Sequence, residues 1–243
     1  MIDAPPRGRR APTAATAATP DQTVIAEIVG PAGAGKTAML RTIARREPGI
    51  QAGIHIDRWR DLPAVLHHAI ALIPIGLELV REQPRSFRPA MGQLLRLRTL
   101  PVVLDRAASD GRRVVLLDEG PLFGLGRLSA FQAANRGTTR LAREWRRQLD
   151  QWAGLLDLVV WLDAPDLVLA QRIRTRPKSH RVKETSDAAV FEFLGRYRRA
   201  YEEIRARLTA TGRTRMIDVN TAELSAEQAM AVVLAALVPS QSR

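Results

Sequence analysis

The run Gly30-Pro31-Ala32-Gly33-Ala34-Gly35-Lys36-Thr37 meets every position of the pattern G-x-x-x-x-G-K-[ST]. Those residue types at that spacing can hold a triphosphate. The polyphosphate is a dense, well-hydrated anion, so a protein must answer it with aligned N–H donors and a cation. Glycines have no Cβ to clash and accept positive φ, which lets the backbone wrap closely around phosphate. The loop N–H groups then point inward as an anion nest. Ala38 and its neighbours in the next helical turn add unsatisfied N–H groups and the positive end of a dipole. Lys36 is expected on the β and γ phosphates, and Thr37 is expected to offer its hydroxyl to Mg2+.

A second group of residues bears on the terminal phosphate. Val114-Val115-Leu116-Leu117-Asp118-Glu119 is an apolar run closed by two carboxylates. A strand of this kind beside the loop strand brings Asp118 within reach of Mg2+, directly or through a water. Glu119 then faces the transferring phosphate. It can take the proton of an acceptor hydroxyl, which makes a kinase, or orient a water, which makes an ATPase. Gly120 and the segment to Gly126 would wall the acceptor pocket.

Further along, Leu162-Asp163-Ala164-Pro165-Asp166 leads into an arginine-bearing stretch, Val168 to Arg176. His180-Arg181-Val182-Lys183-Glu184 comes next, then Phe193, Tyr197, Ala200 and Tyr201. With the phosphate loop, this order resembles thymidylate kinase and its relatives among the nucleoside and nucleotide kinases, over about Thr23 to Leu237. The resemblance implies ATP as donor and a lid over residues 172–186, whose Arg172, Arg176 and Arg181 contact phosphate. Met216-Ile217-Asp218-Val219-Asn220 resembles the family's last strand, whose following loop lies near the adenine, so Asn220 is expected there. Arg96 and Arg98 both fall where the family places an acceptor-binding arginine, and spacing does not choose between them. Related kinases are often dimers, so a homodimer is a further implication. The chain departs from the pattern at one point. Thymidylate kinases carry Asp-Arg where this sequence has Asp118-Glu119. A glutamate repels an acceptor phosphate but suits an acceptor hydroxyl as a base. The expected acceptor therefore moves from dTMP toward a nucleoside or another small metabolite with a free hydroxyl.

These groups need a scaffold that delivers them to one edge. Strands are expected at Thr23–Val29, Gly53–Asp57, Arg113–Asp118, Leu158–Asp163 and Arg215–Val219, with helical stretches between them. That alternation predicts a three-layer α/β P-loop fold, with a five-stranded parallel sheet and helices on both faces. Asp57, Asp118 and Asp163 then stand at the C-terminal edge, where open α/β sheets bind ligands, and Asp57 joins the candidate acceptor residues. Leu141, Trp145, Leu149 and Trp152 make a core stripe on a helix from Arg140. Helices are also expected at Phe191–Ala210 and Ala226–Leu237. Leu62 to Val80 reads as a buried helix broken near Pro74. His67, His68, Glu78 and two prolines make it a poor membrane span.

Bulk properties set the outer bounds. The 243 residues suit one α/β domain over 21–238, with an Ala/Thr/Pro/Arg-rich arm at 1–20 and a frayed tail at 239–243. The arm lacks the apolar run of a signal peptide. Without cysteine, disulfides and thiolate metal sites are impossible, which suits a reducing cytoplasm. The net charge is +12, and only Lys36, Lys178 and Lys183 are lysines. The arginines are spread along the chain with few aromatics among them. That distribution weighs against nucleic acid and favours a small anionic substrate. The competing reading is a regulatory P-loop ATPase. Against it stand the absence of an ABC-type signature and of the second helical domain of ring ATPases.

Overall fold

The computed structural model describes residues 23–57, 59–109, 113–131, 140–177 and 180–237. The expected arm at 1–20 and tail at 239–243 lie outside the described residues. Five parallel strands form the sheet: β1 (Val24–Val29), β2 (Ile50–Ala52), β3 (Val114–Leu117), β4 (Leu158–Asp163) and β5 (Arg215–Asn220). Their order is β2-β3-β1-β4-β5, so the loop strand is central and β3 lies directly beside it. The order reverses at β1, where β3 and β4 flank it. This is the switch point at which doubly wound sheets open a crevice.

Strands β3 and β4 are apolar because both their faces are covered, whereas the edge strand β5 carries Arg215, Asp218 and Asn220. Val114 to Leu117 are all buried, as are Leu158 to Leu162. Helices α1 (Lys36–Arg46) and α9 (Ala226–Leu237) pack together. Helices α4 (Pro84–Ser109), α5 (Pro121–Phe131), α6 (Arg140–Leu155) and α8 (Asp187–Thr211) form a second packed group, and α7 (Asp166–Thr175) packs on α8. Trp145 and Trp152 are core, as their spacing predicts, and Trp145 Nε1 donates to the Leu125 carbonyl at 3.0 Å. Helix α8 begins at Asp187, before the expected Phe191, because the Ser186 side chain caps it by accepting from Ala189 N–H.

Two expectations need correction. The second strand is Ile50–Ala52, not Gly53–Asp57. Gly53 has φ 77°, which ends the strand and turns the chain outward after its N–H donates to Leu116. Asp57 therefore lies in the loop beyond, five residues past the strand. Nor is Leu62–Val80 a buried helix. It forms α2 (Leu62–Ala71) and α3 (Ile73–Glu82), bent by 56° at the junction. Helix α2 has no buried residue, and α3 buries Ile75, Gly76 and Leu79 while leaving its opposite face open. Among the described residues no single helix is long and apolar enough to cross a membrane.

Candidate active site

The phosphate loop is shaped by contacts that only glycine permits. A Cβ on Gly30, at φ 144°, would stand 2.0 Å from the Leu162 carbonyl oxygen of β4. One on Gly33, at φ 87°, would stand 2.8 Å from the carbonyl of Leu169 in α7. The loop thus runs tight against two neighbouring elements. Pro31 and Ala34 are buried beneath it, and the Ala34 N–H closes a turn on the Pro31 carbonyl at 3.4 Å. Gly35 caps α1 in the left-handed region and brings no capping side chain, and no acidic residue stands in the first turn. The first helical bond is Met39 N–H to Gly35, so the N–H groups of Lys36, Thr37 and Ala38 precede the ladder. Thr37 and Ala38 are exposed at this mouth, and Ala32 and Gly33 are half-buried.

The Lys36 ammonium folds back on its own loop, donating to the carbonyls of Gly30 and Pro31 at 2.8 Å each. Burial lowers its pKa to about 8, against the pull of Asp118 and Glu119 upward and with a further push down from Arg176. The charges of Asp118, Glu119, Arg176 and Asp163 thus all act on the Lys36 ammonium. Asp118 follows directly on β3 and is half-buried. Glu119 is exposed and has φ 47°, the only non-glycine residue at positive φ among the described residues. A side chain held in that region signals local strain that surrounding structure must enforce.

The turn that carries Glu119 leads through Gly120, which lies against Glu27. Glu27 lies in the middle of β1, fully buried. Its carboxylate accepts from Leu122 N–H at 2.9 Å and Phe123 N–H at 3.0 Å, capping α5 from below. Gly120 has to be glycine here, since a Cβ would meet the Glu27 carboxyl carbon at 2.7 Å. Burial raises the Glu27 pKa to about 8, against the lowering effect of those two N–H bonds and of Arg96. Its only mark in the sequence is one carboxylate in an otherwise apolar run beside the phosphate loop.

Arg96 and Arg98 are separated by the helix itself. Two residues apart on α4, they point to nearly opposite sides. Arg96 Nη2 donates to the Asp118 carbonyl at 3.3 Å, beside the carboxylate pair. Arg98 is bound through Nε and Nη2 to both oxygens of Glu144, at 2.8 and 2.7 Å. Burial alone would raise the Glu144 pKa, but the guanidiniums of Arg98 and Arg147 hold it below its ordinary value. Arg98 thus belongs to the α4–α6 packing.

The lid arginines divide as well. Arg172 donates to the Thr221 hydroxyl and carbonyl at 2.8 Å each, which ties α7 to the loop after β5. Asn220 stands at the head of that loop, donating to Glu223 and accepting from Ala222 N–H. Arg176 caps α7 and acts on the Lys36 ammonium. Lys183 donates back to the Arg176 carbonyl at 2.8 Å, so the segment after α7 is held to its end. Arg181 lies over the Phe193 ring, 5.7 Å from its centroid. Asp163, at the end of β4, is clasped by Arg198 at 3.0 and 3.1 Å and anchors α8 to the sheet. Asp57 accepts from the N–H groups of Trp59 and Arg60, which lower its pKa, and shapes the turn into α2.

Among the described residues, no group of three or more His, Asp or Glu side chains could hold a metal. What the site offers is a hydroxyl at Thr37 and a carboxylate at Asp118. That is the hard-oxygen set Mg2+ accepts when phosphates and waters complete its shell.

Neither a protein-family model nor a curated protein matches the sequence. Solved structures do. A deoxyadenosine kinase from M. mycoides, with products dCMP and a flexible dCDP bound, superposes with a TM-score of 0.52 at 15% identity. The same kinase with dATP bound gives 0.51 at 14%. Each alignment covers 88% of this chain and 98% of the kinase. The chain has the fold of the P-loop nucleoside kinases.

Proposed function

We propose that this protein is a phosphotransferase that moves the γ-phosphoryl group of ATP to a hydroxyl of a small acceptor, with a nucleoside as the favoured class. The observation that carries the reading is Glu119. Its backbone stands at φ 47°, directly before Gly120, and its carboxylate acts on the phosphate-loop lysine. Strain of this kind clusters at functional sites, which supports a role for Glu119 in the transfer. The deoxyadenosine kinase fold supports a nucleoside. Glutamate in place of the arginine of thymidylate kinases supports an uncharged hydroxyl over a nucleoside monophosphate.

In this reading the loop from Gly30 to Thr37, with Ala38, cradles the phosphates through backbone N–H groups. Lys36 leaves the carbonyls of Gly30 and Pro31 for the β and γ phosphates. Mg2+, held by Thr37 and Asp118, would neutralise charge on the phosphate oxygens. Glu119 accepts the acceptor's hydroxyl proton. Arg96 orients the acceptor, since Arg98 is committed to Glu144. Arg176 and Arg181 close from the lid side and exclude water, while Arg172 and Asn220 shape the nucleoside end of the ATP site. Preorganised charge of this kind is the main source of catalysis in phosphoryl transfer.

The test is ADP release from Mg-ATP over a panel of nucleosides, nucleoside monophosphates and sugars. A nucleoside that raises turnover well above the basal rate is the expected result. Equal basal rates with every acceptor would favour the second reading, ATP hydrolysis, which the strand Val114–Leu117 followed by Asp118-Glu119 also fits.

A further inference from the structure

Helix α5 starts directly after the turn of Asp118, Glu119 and Gly120. The face that continues from Gly120 carries Phe123, Gly124 and Arg127, by the three- and four-residue spacing of a helix. The Arg127 guanidinium carbon lies over the Phe123 ring, 5.7 Å from its centroid. Arg127 is half-buried, yet it makes no hydrogen bond and no ion pair among the described residues. Other arginines around the sheet edge are engaged: Arg96 on the Asp118 carbonyl, Arg98 on Glu144, Arg172 on Thr221 and Arg198 on Asp163.

Tyr197 links this unpaired guanidinium to the reaction centre. Beyond burial itself, three charges act on the Tyr197 phenol: Arg127 of α5, Arg181 of the lid segment and Glu119. Arg127 and the candidate base therefore lie near one buried side chain of α8. Arg127 follows Glu119 by eight residues, about 12 Å along a helix axis. An acceptor whose hydroxyl meets Glu119 would bring its far end to Arg127.

The guanidinium dictates what that far end must offer. Its N–H groups form a planar fork of donors with no acceptor, so it selects two adjacent acceptors and rejects a donor. Adenine presents one acceptor and one donor at N7 and N6, whereas a 6-oxopurine presents two acceptors at N7 and O6. A pyrimidine reaches less far from its sugar, so the span from Glu119 favours the larger base.

We propose that Arg127 reads the base of the acceptor, and that the acceptor is a 6-oxopurine nucleoside such as guanosine, held through O6 and N7. The proposal rests on the nucleoside phosphotransferase reading, so acceptor binding is measured beside turnover and the two can fail separately. Wild-type kcat/KM with Mg-ATP should be roughly 10- to 100-fold higher for guanosine than for adenosine, the discrimination one bidentate pair gives. 7-Deazaguanosine, which lacks one of the two acceptors, should fall toward adenosine. Arg127→Met keeps an unbranched side chain against Phe123 and removes the fork, and Arg127→Lys keeps the charge alone. Both should level the preference, in turnover and in guanosine binding by calorimetry, with an unchanged circular dichroism spectrum. A guanosine preference that persists in both variants overturns the proposal. So does a wild type that prefers adenosine or a pyrimidine nucleoside, or that phosphorylates carboxylate-bearing hydroxy acids and no nucleoside. Guanosine that binds through Arg127 without being phosphorylated would sink the phosphotransferase reading and leave the base assignment standing. Guanosine that neither binds nor raises turnover would sink the base assignment, whatever other acceptors do.

Discussion

At the C-terminal edge of the sheet and along α2–α3, the molecule treats polarity in opposite ways. At and beneath the sheet edge polar groups turn inward. Glu27 is fully buried with its pKa raised to about 8, the Lys36 ammonium is withdrawn into its own loop, and each has a hydrogen-bonded partner. The helix pair turns apolar side chains outward, with Leu66, Ile70, Ile73, Leu77 and Val80 facing solvent. A buried charge is costly unless paired, and an exposed apolar row goes unused unless covered. Each departure from ordinary burial therefore points to something absent from the isolated chain: an anion at the first, a cover at the other.

The largest expected effect separates catalysis from binding at the sheet edge. Glu119→Gln removes the proton acceptor and keeps the size of the side chain. Acceptor phosphorylation should fall ~10²–10⁴-fold, the usual worth of a general base. ATP affinity, measured by titration calorimetry, should stay near that of wild type. If turnover with the best acceptor survives the change, Glu119 is not the base. If acceptor-independent hydrolysis is what disappears, the ATPase reading takes over.

Glu27 gives the next effect, and it tests whether the buried carboxyl holds the start of α5. Glu27→Ala strands the N–H groups of Leu122 and Phe123, and leaving such groups unsatisfied costs about 1–3 kcal/mol. Glu27→Gln restores an acceptor and should recover most of that stability. The pH dependence runs in a fixed direction. Burial raises the folded pKa of Glu27 from 4.5 to about 8. The unfolded chain therefore releases its proton first, so this residue's contribution is fully present below pH 4.5 and is lost as pH rises toward 8. Urea unfolding at several pH values should show a slope over that window in wild type and a flatter one in Glu27→Gln.

Much of this edge was legible in the sequence because its constraints are local. Gly30, Gly33 and Gly35 need positive φ, Lys36 needs a phosphate, and the apolar run before Asp118 needs a central strand; each leaves its mark within a few residues. Glu27 escaped because a carboxylate inside a strand acquires meaning only from α5, which lies 95 residues away in sequence at Leu122. The choice between Arg96 and Arg98 required knowing which face of α4 meets β3 and which meets α6. The stripe on α2–α3 was visible as a pattern, but its direction was not. Periodicity marks one apolar face of a helix, and tertiary packing decides whether that face turns inward. Here Leu72, Ile75 and Leu79 supply the inward contacts. The strand after α1 was misplaced for the same kind of reason, since Ile54 and Ile56 alternate like a strand but Gly53 has already turned the chain away.

A smaller effect concerns the cation in the loop. Burial lowers the Lys36 pKa to about 8, so the empty site loses its ammonium as pH rises through that value. A triphosphate favours the charged form and pulls the pKa back up. ATP affinity should therefore decline above pH 8, and binding there should take up protons. Calorimetry in buffers of different ionisation enthalpy reads that uptake directly. No proton uptake between pH 8 and 9 would mean that Lys36 stays charged in the empty loop.

The smallest expected effect belongs to the helix pair, and its smallness is the point. Leu77 lies on the solvent side of α3, while Leu79, two positions on, is core. Leu77→Ala should change unfolding stability by no more than about 0.5 kcal/mol at high dilution, because little packed contact is lost. If the stripe meets a second copy of the chain, raising the protein concentration should open a gap between wild type and variant, since association stabilises only the chain that can pair. A concentration-independent gap would place Leu77 in the core of the monomer. An absent gap at every concentration would leave the stripe without a partner of its own kind, and the contrast between the two regions would then rest on the phosphate site alone.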